Sequence, residues 1–142
     1  MLISTKGRYA IRVMIDLAEN CGEGFVSMKS VAERQDISLK YIERILPSLT
    51  KAGLIKGVQG KGGGYKLCRP PQDYTISEIL KVTEGSFAPV ACLVDGAKPC
   101  EREGICRTVK MWREVYALLQ NYFEGVTLLD LMSEDKADNY VI

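Results

Sequence analysis

The sequence predicts a mainly α-helical fold with a small β-wing, in which a winged helix-turn-helix domain precedes a long C-terminal dimerisation helix. Apolar residues recur at helical spacing over 39–49, which indicates an amphipathic helix. Two short strand patterns then enclose a glycine-rich tip at 59–64. A second apolar pattern of helical period fills 107–123 and predicts the long helix.

Two helices are predicted ahead of the amphipathic one. Ser4 can cap a first helix that ends near Cys21, and Ser27 can begin a second helix. A turn at 35–37 connects the second helix to the third. Three helices in this order form the scaffold of a helix-turn-helix domain.

The third helix has one face for the core and one for a partner. Ser38 stands at its N-cap, and its apolar stripe consists of Leu39, Ile42, Ile45, Leu46 and Leu49. Side chains that reach phosphates and base edges lie on the opposite face, and those predicted to contact double-stranded DNA are Ser38, Lys40, Tyr41, Glu43 and Arg44. Pro47 lacks an N–H, so we expect it to kink the helix or to end its regular hydrogen bonding a turn early.

Glu43 is the acidic member of this set, and two interpretations of it remain open. A carboxylate accepts a hydrogen bond from a cytosine amino group and repels phosphate when misaligned, which would make Glu43 selective. Alternatively, Glu43 is a solvated side chain that pairs with Lys40 or Lys51 along the helix face.

A β-hairpin is predicted after Gly53, which supplies a left-handed stop to the third helix. A nucleotide-binding phosphate loop requires Gly-Lys-Ser/Thr at the start of a helix, whereas Gly62 follows Lys61 here. The tip is therefore either a flexible turn with a solvated lysine or a wing. A wing would place Gln59 and Lys61 in the minor groove or against phosphate.

The second half of the chain predicts a short helix, an irregular loop and the long helix. Thr75 and Glu78 have the spacing of a capping box, and the helix that they begin would end near Val82. An irregular loop follows at 86–103, and the stripe of the helix at 107–123 is apolar enough to pack against a second copy of the chain. The alternative for this stripe is packing within its own chain.

Charge is distributed unevenly between the two halves. Residues 1–72 contain 12 Lys and Arg against 6 Asp and Glu, whereas residues 73–142 contain 7 against 12. The predicted division is a DNA-binding winged helix-turn-helix domain at 1–72 and a region with the sensor loop and the dimerisation helix at 73–142. Phosphate neutralisation requires local positive charge, although two ordinary halves can also differ by chance.

Composition excludes several classes of function. Without an uncharged apolar run long enough for a leader or a membrane span, we expect a cytoplasmic protein with no membrane partner. The chain contains no histidine, which removes most catalytic constellations and favours a protein that is not an enzyme. Five cysteines in a cytosolic chain favour thiols or metal ligands over disulfides.

Four short stretches give the chain a family resemblance: Ser4-Thr-Lys-Gly-Arg-Tyr-Ala10, Ile37-Ser-Leu-Lys-Tyr-Ile-Glu43, Ala52-Gly-Leu54 and Gly60-Lys-Gly-Gly-Gly-Tyr65. Together with the order of elements, they resemble the winged-helix transcriptional regulator family that contains the iron–sulfur regulator IscR and the cysteine-metabolism regulator CymR. The resemblance spans nearly the whole chain. It implies a homodimeric regulator, expected to be a repressor, that binds partly palindromic promoter sites.

The iron–sulfur branch of this family carries three cysteines ahead of the long helix, and Cys92, Cys100 and Cys106 stand in that place. The resemblance implies that they bind an iron–sulfur cluster of the 2Fe–2S type, for which soft thiolates are suitable ligands. A histidine three residues after the last cysteine completes the ligand set in that branch, but Val109 occupies this position here. Substitutes for it are a residue of a second copy's first helix or, in the loop, Asp95, Glu101 and Glu103.

Other interpretations of the three cysteines remain open, namely redox thiols, structural thiols and a zinc site. Zinc normally takes close Cys pairs, which this loop lacks. Cys21 and Cys68 are interpreted as packing residues. A thiol enzyme would lack both a Cys-x-x-Cys pair and a histidine base, and a winged-helix adaptor that binds protein instead of DNA is a further alternative.

The CymR branch is the second subtype that the sequence resembles, through Gly22-Glu-Gly24, Pro89-Val90 and the C-terminus. In that branch the regulator works with a cysteine synthase. The tail at 138–142 ends in a small apolar side chain with a free carboxylate, a type of end that can enter an amino-acid-binding pocket. Under this alternative the cysteines bind no metal and cysteine synthase is a partner.

Overall fold

The computed structural model describes residues 3–22 and 24–133, and within these ranges the chain forms six α-helices and one two-stranded antiparallel sheet. The helices are α1 (Thr5–Asn20), α2 (Met28–Gln35), α3 (Leu39–Lys51), α4 (Ile76–Glu84), α5 (Val109–Gly125) and α6 (Leu128–Leu131). The strands are β1 (Ile55–Val58) and β2 (Gly64–Leu67). The predicted mainly α-helical fold with a small β-wing is confirmed.

Side-chain caps set the starts of the first three helices. The hydroxyls of Ser4, Ser27 and Ser38 each accept a hydrogen bond from the backbone N–H three residues further along the chain. Each cap satisfies one of the backbone donors that have no partner inside the helix. The predicted helix starts are therefore confirmed.

The apolar stripe of α3 anchors it in the core, where Ile42, Ile45, Leu46 and Leu49 are buried. Leu39, which was predicted to belong to the stripe, is 39% exposed because the first turn of α3 lies at the surface. The helix also continues through Pro47 to Lys51, so an early end is wrong. Glu43 and Pro47 are both exposed, so solvent can satisfy the carbonyl that Pro47 leaves without a donor.

A buried carboxylate fixes α1 against α2. Asp16 on α1 is 2% exposed and accepts hydrogen bonds from the Arg34 guanidinium at 2.7 and 3.0 Å and from Gln35 Nε2 at 3.0 Å. The guanidinium of Arg12, also on α1, donates to the backbone oxygen and to Oε1 of Gln35. The end of α2, immediately before the turn into α3, is thereby held against α1 through both Arg34 and Gln35.

The wing is tied to the helical scaffold at its base. Gly53, with a φ of 76°, ends α3 as predicted, and β1 then pairs with β2 so that Ile55 lies opposite Leu67. Val26 and Tyr65 exchange two backbone hydrogen bonds of 2.8 Å, which extends the sheet to the segment before α2. A Cβ on Gly64 would lie 2.2 Å from the Val26 oxygen, so this approach requires glycine.

Tyr74 connects the base of the wing to the helices that follow. Its buried hydroxyl donates to the Leu54 oxygen at 2.5 Å and accepts from the backbone N–H groups of Cys68 and Arg69 at 2.9 and 3.0 Å. Burial of the ring raises the pKa of the Tyr74 phenol. Tyr74 and α4 share one hydrophobic core with α1 and α3, and the division after residue 72 stays a prediction.

The helix α4 begins at the predicted N-cap, Thr75, but the second half of the predicted capping box does not form. Thr75 Oγ1 accepts from the Glu78 N–H at 3.1 Å, whereas the Glu78 carboxylate pairs with Arg69 at 2.7 Å instead of returning to the cap. The helix also extends two residues beyond Val82. A complete capping box occurs in α6 between Thr127 and Asp130.

Within residues 3–22 and 24–133, none of the helices combines the length and the apolar character that crossing a bilayer requires.

We expect the substitution Tyr74→Phe to lower the free energy of unfolding by about 1–3 kcal/mol, because it leaves the buried Leu54 carbonyl and the backbone N–H groups of Cys68 and Arg69 without this partner. Urea denaturation followed by circular dichroism measures this change. Tyr41→Phe is the matched control, since it removes the hydroxyl of a half-buried tyrosine that makes no hydrogen bond through this group among the described residues. Equal stabilities of the two variants would contradict the role given to the Tyr74 hydroxyl.

Candidate functional site

The outer face of α3 presents the residues that the sequence assigned to DNA. Ser38, Lys40, Glu43 and Arg44 are exposed and Tyr41 is half-buried. A shallow cleft is lined by Ser38, Lys40, Tyr41 and Arg44 together. The structure therefore gathers a hydroxyl, a phenol and two cationic side chains on one convex element, which is a suitable composition for contacts to phosphates and guanine edges.

Tyr41 is supported from behind by two α1 residues that the sequence pattern did not assign to the site. The rings of Tyr9 and Tyr41 pack edge to face with centroids 5.3 Å apart. The Arg12 guanidinium carbon lies 5.2 Å from the Tyr9 ring centroid. Tyr9 belongs to the apolar pattern of α1, and only the packing of α1 on α3 distinguishes it from an ordinary core residue.

Lys6 adds a cation beside α3, which we call the recognition helix because its outer face carries the predicted DNA contacts. Its Nζ donates to Ser48 Oγ on α3 at 3.2 Å. Ser48 follows Arg44 by one helical turn, so Lys6 extends the cationic face of α3 toward the N-terminus of α1. Sequence periodicity gave no signal for this position, because a lone lysine near a helix start is usually a solvated side chain.

The predicted wing residues lie at an exposed hairpin tip. Gln59 and Lys61 are both exposed, and the turn uses positive φ angles of 101° at Gly60 and 79° at Gly62. A groove between α3 and β2 is lined by residues of both elements, including Glu43, Lys51 and Tyr65. Glu43 therefore faces the groove between the helix and the wing.

The three predicted ligand cysteines line one cleft, which we call the cysteine cleft. It has a volume of about 190 Å³, and Cys92, Cys100, Cys106 and Glu103 contribute to its wall. Val109 and Arg113 on the first turns of α5 close one side. Cys21 and Cys68 lie elsewhere, at the end of α1 and directly after β2.

The side chains that line the cysteine cleft do not form a set of metal ligands in this conformation. Among residues 3–22 and 24–133, no three Cys, Asp or Glu side chains are grouped closely enough to hold a metal ion. Of the candidate substitutes for a fourth ligand, Glu103 lines the cysteine cleft, Asp95 lines a neighbouring cleft and Glu101 is exposed in the loop. The donor chemistry suits an iron–sulfur cluster, whereas the positions of the thiols in this conformation do not converge on one.

Cys106 is the cysteine with a distinct electrostatic environment. Its Sγ lies 3.5 Å from Thr108 Oγ1. This hydrogen bond, followed by the backbone N–H groups of Thr108 and Val109 and the charge of Arg102, lowers the pKa of the Cys106 thiol below its ordinary value. This environment therefore raises the thiolate fraction of Cys106 above that of an ordinary cysteine.

The long helix α5 has an apolar stripe that its own chain covers incompletely. Tyr116 and Phe123 pack edge to face on the buried ring of Phe87, with centroids 5.8 and 5.4 Å apart. No residue of α5 is fully buried, and Leu118 and Tyr122 are 70% and 68% exposed. Much of the apolar surface of α5 remains open to solvent.

Comparison with known proteins identifies transcriptional regulators as similar to this chain. The family model described as Rrf2, iron-dependent transcriptional regulator, matches residues 3–134. The regulator IscR of Aliivibrio salmonicida is 33% identical over 96% of this chain and 80% of its own length. The regulator CymR of Bacillus subtilis is 38% identical over 94% of this chain and 91% of its own length. The solved structure of CymR, the global cysteine regulator of Bacillus subtilis, has a TM-score of 0.74 with 36% identity over 92% of this chain and 95% of the CymR chain.

We expect Cys106 to be the first cysteine that iodoacetamide alkylates in the reduced protein at pH 7, because the lowered pKa raises its thiolate fraction. Peptide mass spectrometry over a time course measures the order of modification. Thr108→Val should slow the alkylation of Cys106 severalfold, whereas Thr50→Val, at an exposed position on α3, should not. Earlier modification of Cys92 or Cys100 would contradict this prediction.

Proposed function

Because the chain belongs to the Rrf2 family of transcriptional regulators, we propose that it is a cytoplasmic repressor that binds double-stranded DNA as a homodimer. We further propose that it senses iron–sulfur or redox status through the cysteine cleft. The observation that carries the DNA-binding proposal is the exposed face of α3, where cationic and hydrogen-bonding side chains stand on a helix whose other face is anchored in the core.

Each DNA-contacting residue has a proposed role. Ser38, Lys40, Tyr41 and Arg44 enter the major groove, and Arg44 reads a guanine through its paired donors. Glu43 faces the groove beside the wing, where a carboxylate accepts from cytosine and rejects a misplaced phosphate. Gln59 and Lys61 contact the adjacent minor groove or the DNA backbone beside it.

The open apolar surface of α5 supports the homodimer. A helix-turn-helix protein that reads a palindromic site requires a two-fold axis, and a two-fold interface buries the same patch of both copies. Leu118 and Tyr122 lie on a face of α5 that its own chain leaves exposed. Pairing of two α5 helices would remove this apolar area from water and would set the distance between the two recognition helices.

The cysteine cleft lies where a chemical signal can act on the dimer. Cys92, Cys100 and Cys106 would hold an iron–sulfur cluster of the 2Fe–2S type, and Glu103 supplies a further oxygen donor in the same wall. Such a cluster supplies reversible electron transfer and lability towards iron loss and oxidants. Since Val109 and Arg113 of α5 help to line the cleft, a change in the loop acts directly on the proposed dimer helix.

A second candidate function is regulation of cysteine metabolism without bound metal. The likeness to CymR supports it, and so does the spacing of the three thiols, which do not form a ligand group within the described residues. A cysteine synthase would then be the partner that recognises the C-terminal tail. That tail, 138–142, lies outside the described residues.

We expect Arg44→Ala to weaken binding to the cognate operator by about 1–3 kcal/mol and to reduce discrimination against a scrambled duplex. Lys61→Ala should weaken both duplexes alike and lower the salt slope by about one, because it removes a single phosphate contact. Fluorescence anisotropy over a range of salt concentrations measures both effects. Lys110→Ala, at an exposed position on α5, is the control. Salt-independent binding would favour a protein-binding adaptor instead.

We expect protein prepared without oxygen to contain iron and acid-labile sulfide and to absorb visible light. Alanine at Cys92, Cys100 or Cys106 should abolish these signals and the accompanying change in operator affinity, which we place at about 1–3 kcal/mol. Cys68→Ala is the matched control, because this exposed thiol lies outside the cleft. Oxidant-dependent affinity without iron would favour redox thiols, and cleft variants with unaltered responses would contradict sensing at this cleft.

A further inference from the structure

A second and larger cleft lies between the end of α4, the following loop and α5. We call it the α4–α5 cleft. It has a volume of about 640 Å³, and its wall includes Lys81, Glu84, Phe87, Asp95, Tyr116 and Gln120. It contains no cysteine and shares no lining residue with the cysteine cleft. Its size lies within the range of small-molecule sites, and its wall combines an apolar floor with a few charged groups.

The carboxylate of Glu84 is held in place from outside the cleft. Ser4 donates to Glu84 Oε1 twice, from its backbone N–H at 2.9 Å and from its hydroxyl at 2.7 Å. A Cβ on Gly7 would lie 2.2 Å from the same oxygen, so glycine at this position makes room for the carboxylate. Both hydrogen bonds use Oε1, and none of the hydrogen bonds among the described residues uses Oε2, so the lone pairs of Oε2 remain for a ligand donor.

Lys81 supplies the opposite charge at a matching distance. It precedes Glu84 by three residues on α4, so both side chains lie on the same helix face with about 5–6 Å between their Cβ atoms. Among the described residues, Lys81 and Glu84 do not form an ion pair with each other. A molecule whose ammonium and carboxylate groups are attached to the same carbon atom can bridge two such charges.

The floor of the cleft suits an aliphatic or aromatic side chain. The rings of Phe87 and Tyr116 meet edge to face at 84° with centroids 5.8 Å apart. Lys81, Glu84 and Asp95 give the wall a formal charge of minus one, which disfavours anionic ligands. We propose that the α4–α5 cleft binds a free α-amino acid, with its carboxylate on Lys81, its ammonium on Glu84 and its side chain on Phe87 and Tyr116.

Such a ligand would act on the DNA-binding face through α1. Ser4, the partner of Glu84, is the N-cap of α1, and Lys6 in the first turn of α1 donates to Ser48 on α3. An ammonium group bound to the Glu84 carboxylate weakens the two hydrogen bonds that Glu84 accepts from Ser4. The start of α1 then shifts. This consequence rests on the proposed DNA binding, whereas the ligand site itself does not.

Isothermal titration calorimetry of the reduced full-length protein without DNA tests the site. L-methionine and L-lysine should bind with a Kd below about 1 mM, and L-glutamate at least about tenfold more weakly. Acetate and methylammonium, which each carry one of the two charges, should bind more weakly than either amino acid. No heat from L-methionine or L-lysine at 10 mM, on the order of ten times that Kd, would overturn the proposal, as would binding of acetate as tight as theirs.

Two variants with matched controls locate the binding. Lys81→Met and Glu84→Gln should each weaken L-methionine binding at least about tenfold, since each removes one of the two charges. Lys110→Met and Glu124→Gln remove the same charges at exposed positions of α5 and should leave it unaltered. Lys81 is exposed, so its replacement tests the site even if Glu84→Gln loosens α1. Unaltered affinity in both cleft variants would overturn the assignment.

Discussion

The buried carboxylate of Asp16 is the interaction on which the DNA-binding half depends. A charged group taken out of water must be compensated, and here the guanidinium of Arg34 and the amide of Gln35 satisfy it from the last turn of α2. That turn leads into α3 through Asp36, which adopts a left-handed conformation with a φ of 53°. The position of Asp16 on α1 therefore sets where α2 ends and the direction in which α3 starts.

The helix α1 consequently connects the two halves of the chain. Arg12 and Asp16 in its centre form hydrogen bonds with the end of α2. Tyr9 packs against Tyr41 on α3, and Lys6 donates to Ser48, one turn beyond Arg44. At its start, Ser4 contacts Glu84 at the end of α4, where the loop that carries the cysteines begins. A displacement of that loop is thus connected to α3 through two hydrogen-bonded contacts of α1, Ser4 with Glu84 and Lys6 with Ser48.

Local features of the fold were predictable, because they follow from chemistry within a few residues. The caps at Ser4, Ser27 and Ser38 and the stop at Gly53 need only the adjacent turn. Features that join distant segments were not predictable. Glu78 has the sequence spacing of a capping box, but its carboxylate pairs with Arg69, a charged donor that only the folded chain brings near. Tyr9 and Lys6 were missed for the same reason, because their contacts with Tyr41 and Ser48 form only when α1 packs against α3.

The cysteine cleft has features that suit both a free thiolate and a thiolate-bound iron–sulfur cluster. Val109 lies in the wall of this cleft, and its apolar side chain offers no ligand. The same cleft contains the cations Lys98 and Arg113, and Cys106 receives hydrogen bonds at the start of α5. Positive charge and aligned N–H groups stabilise any anion that collects there, whether a free thiolate or a thiolate-bound cluster. Thiolate stabilisation is therefore the property that both candidate functions require, and the number of thiols that converge on one centre decides between them.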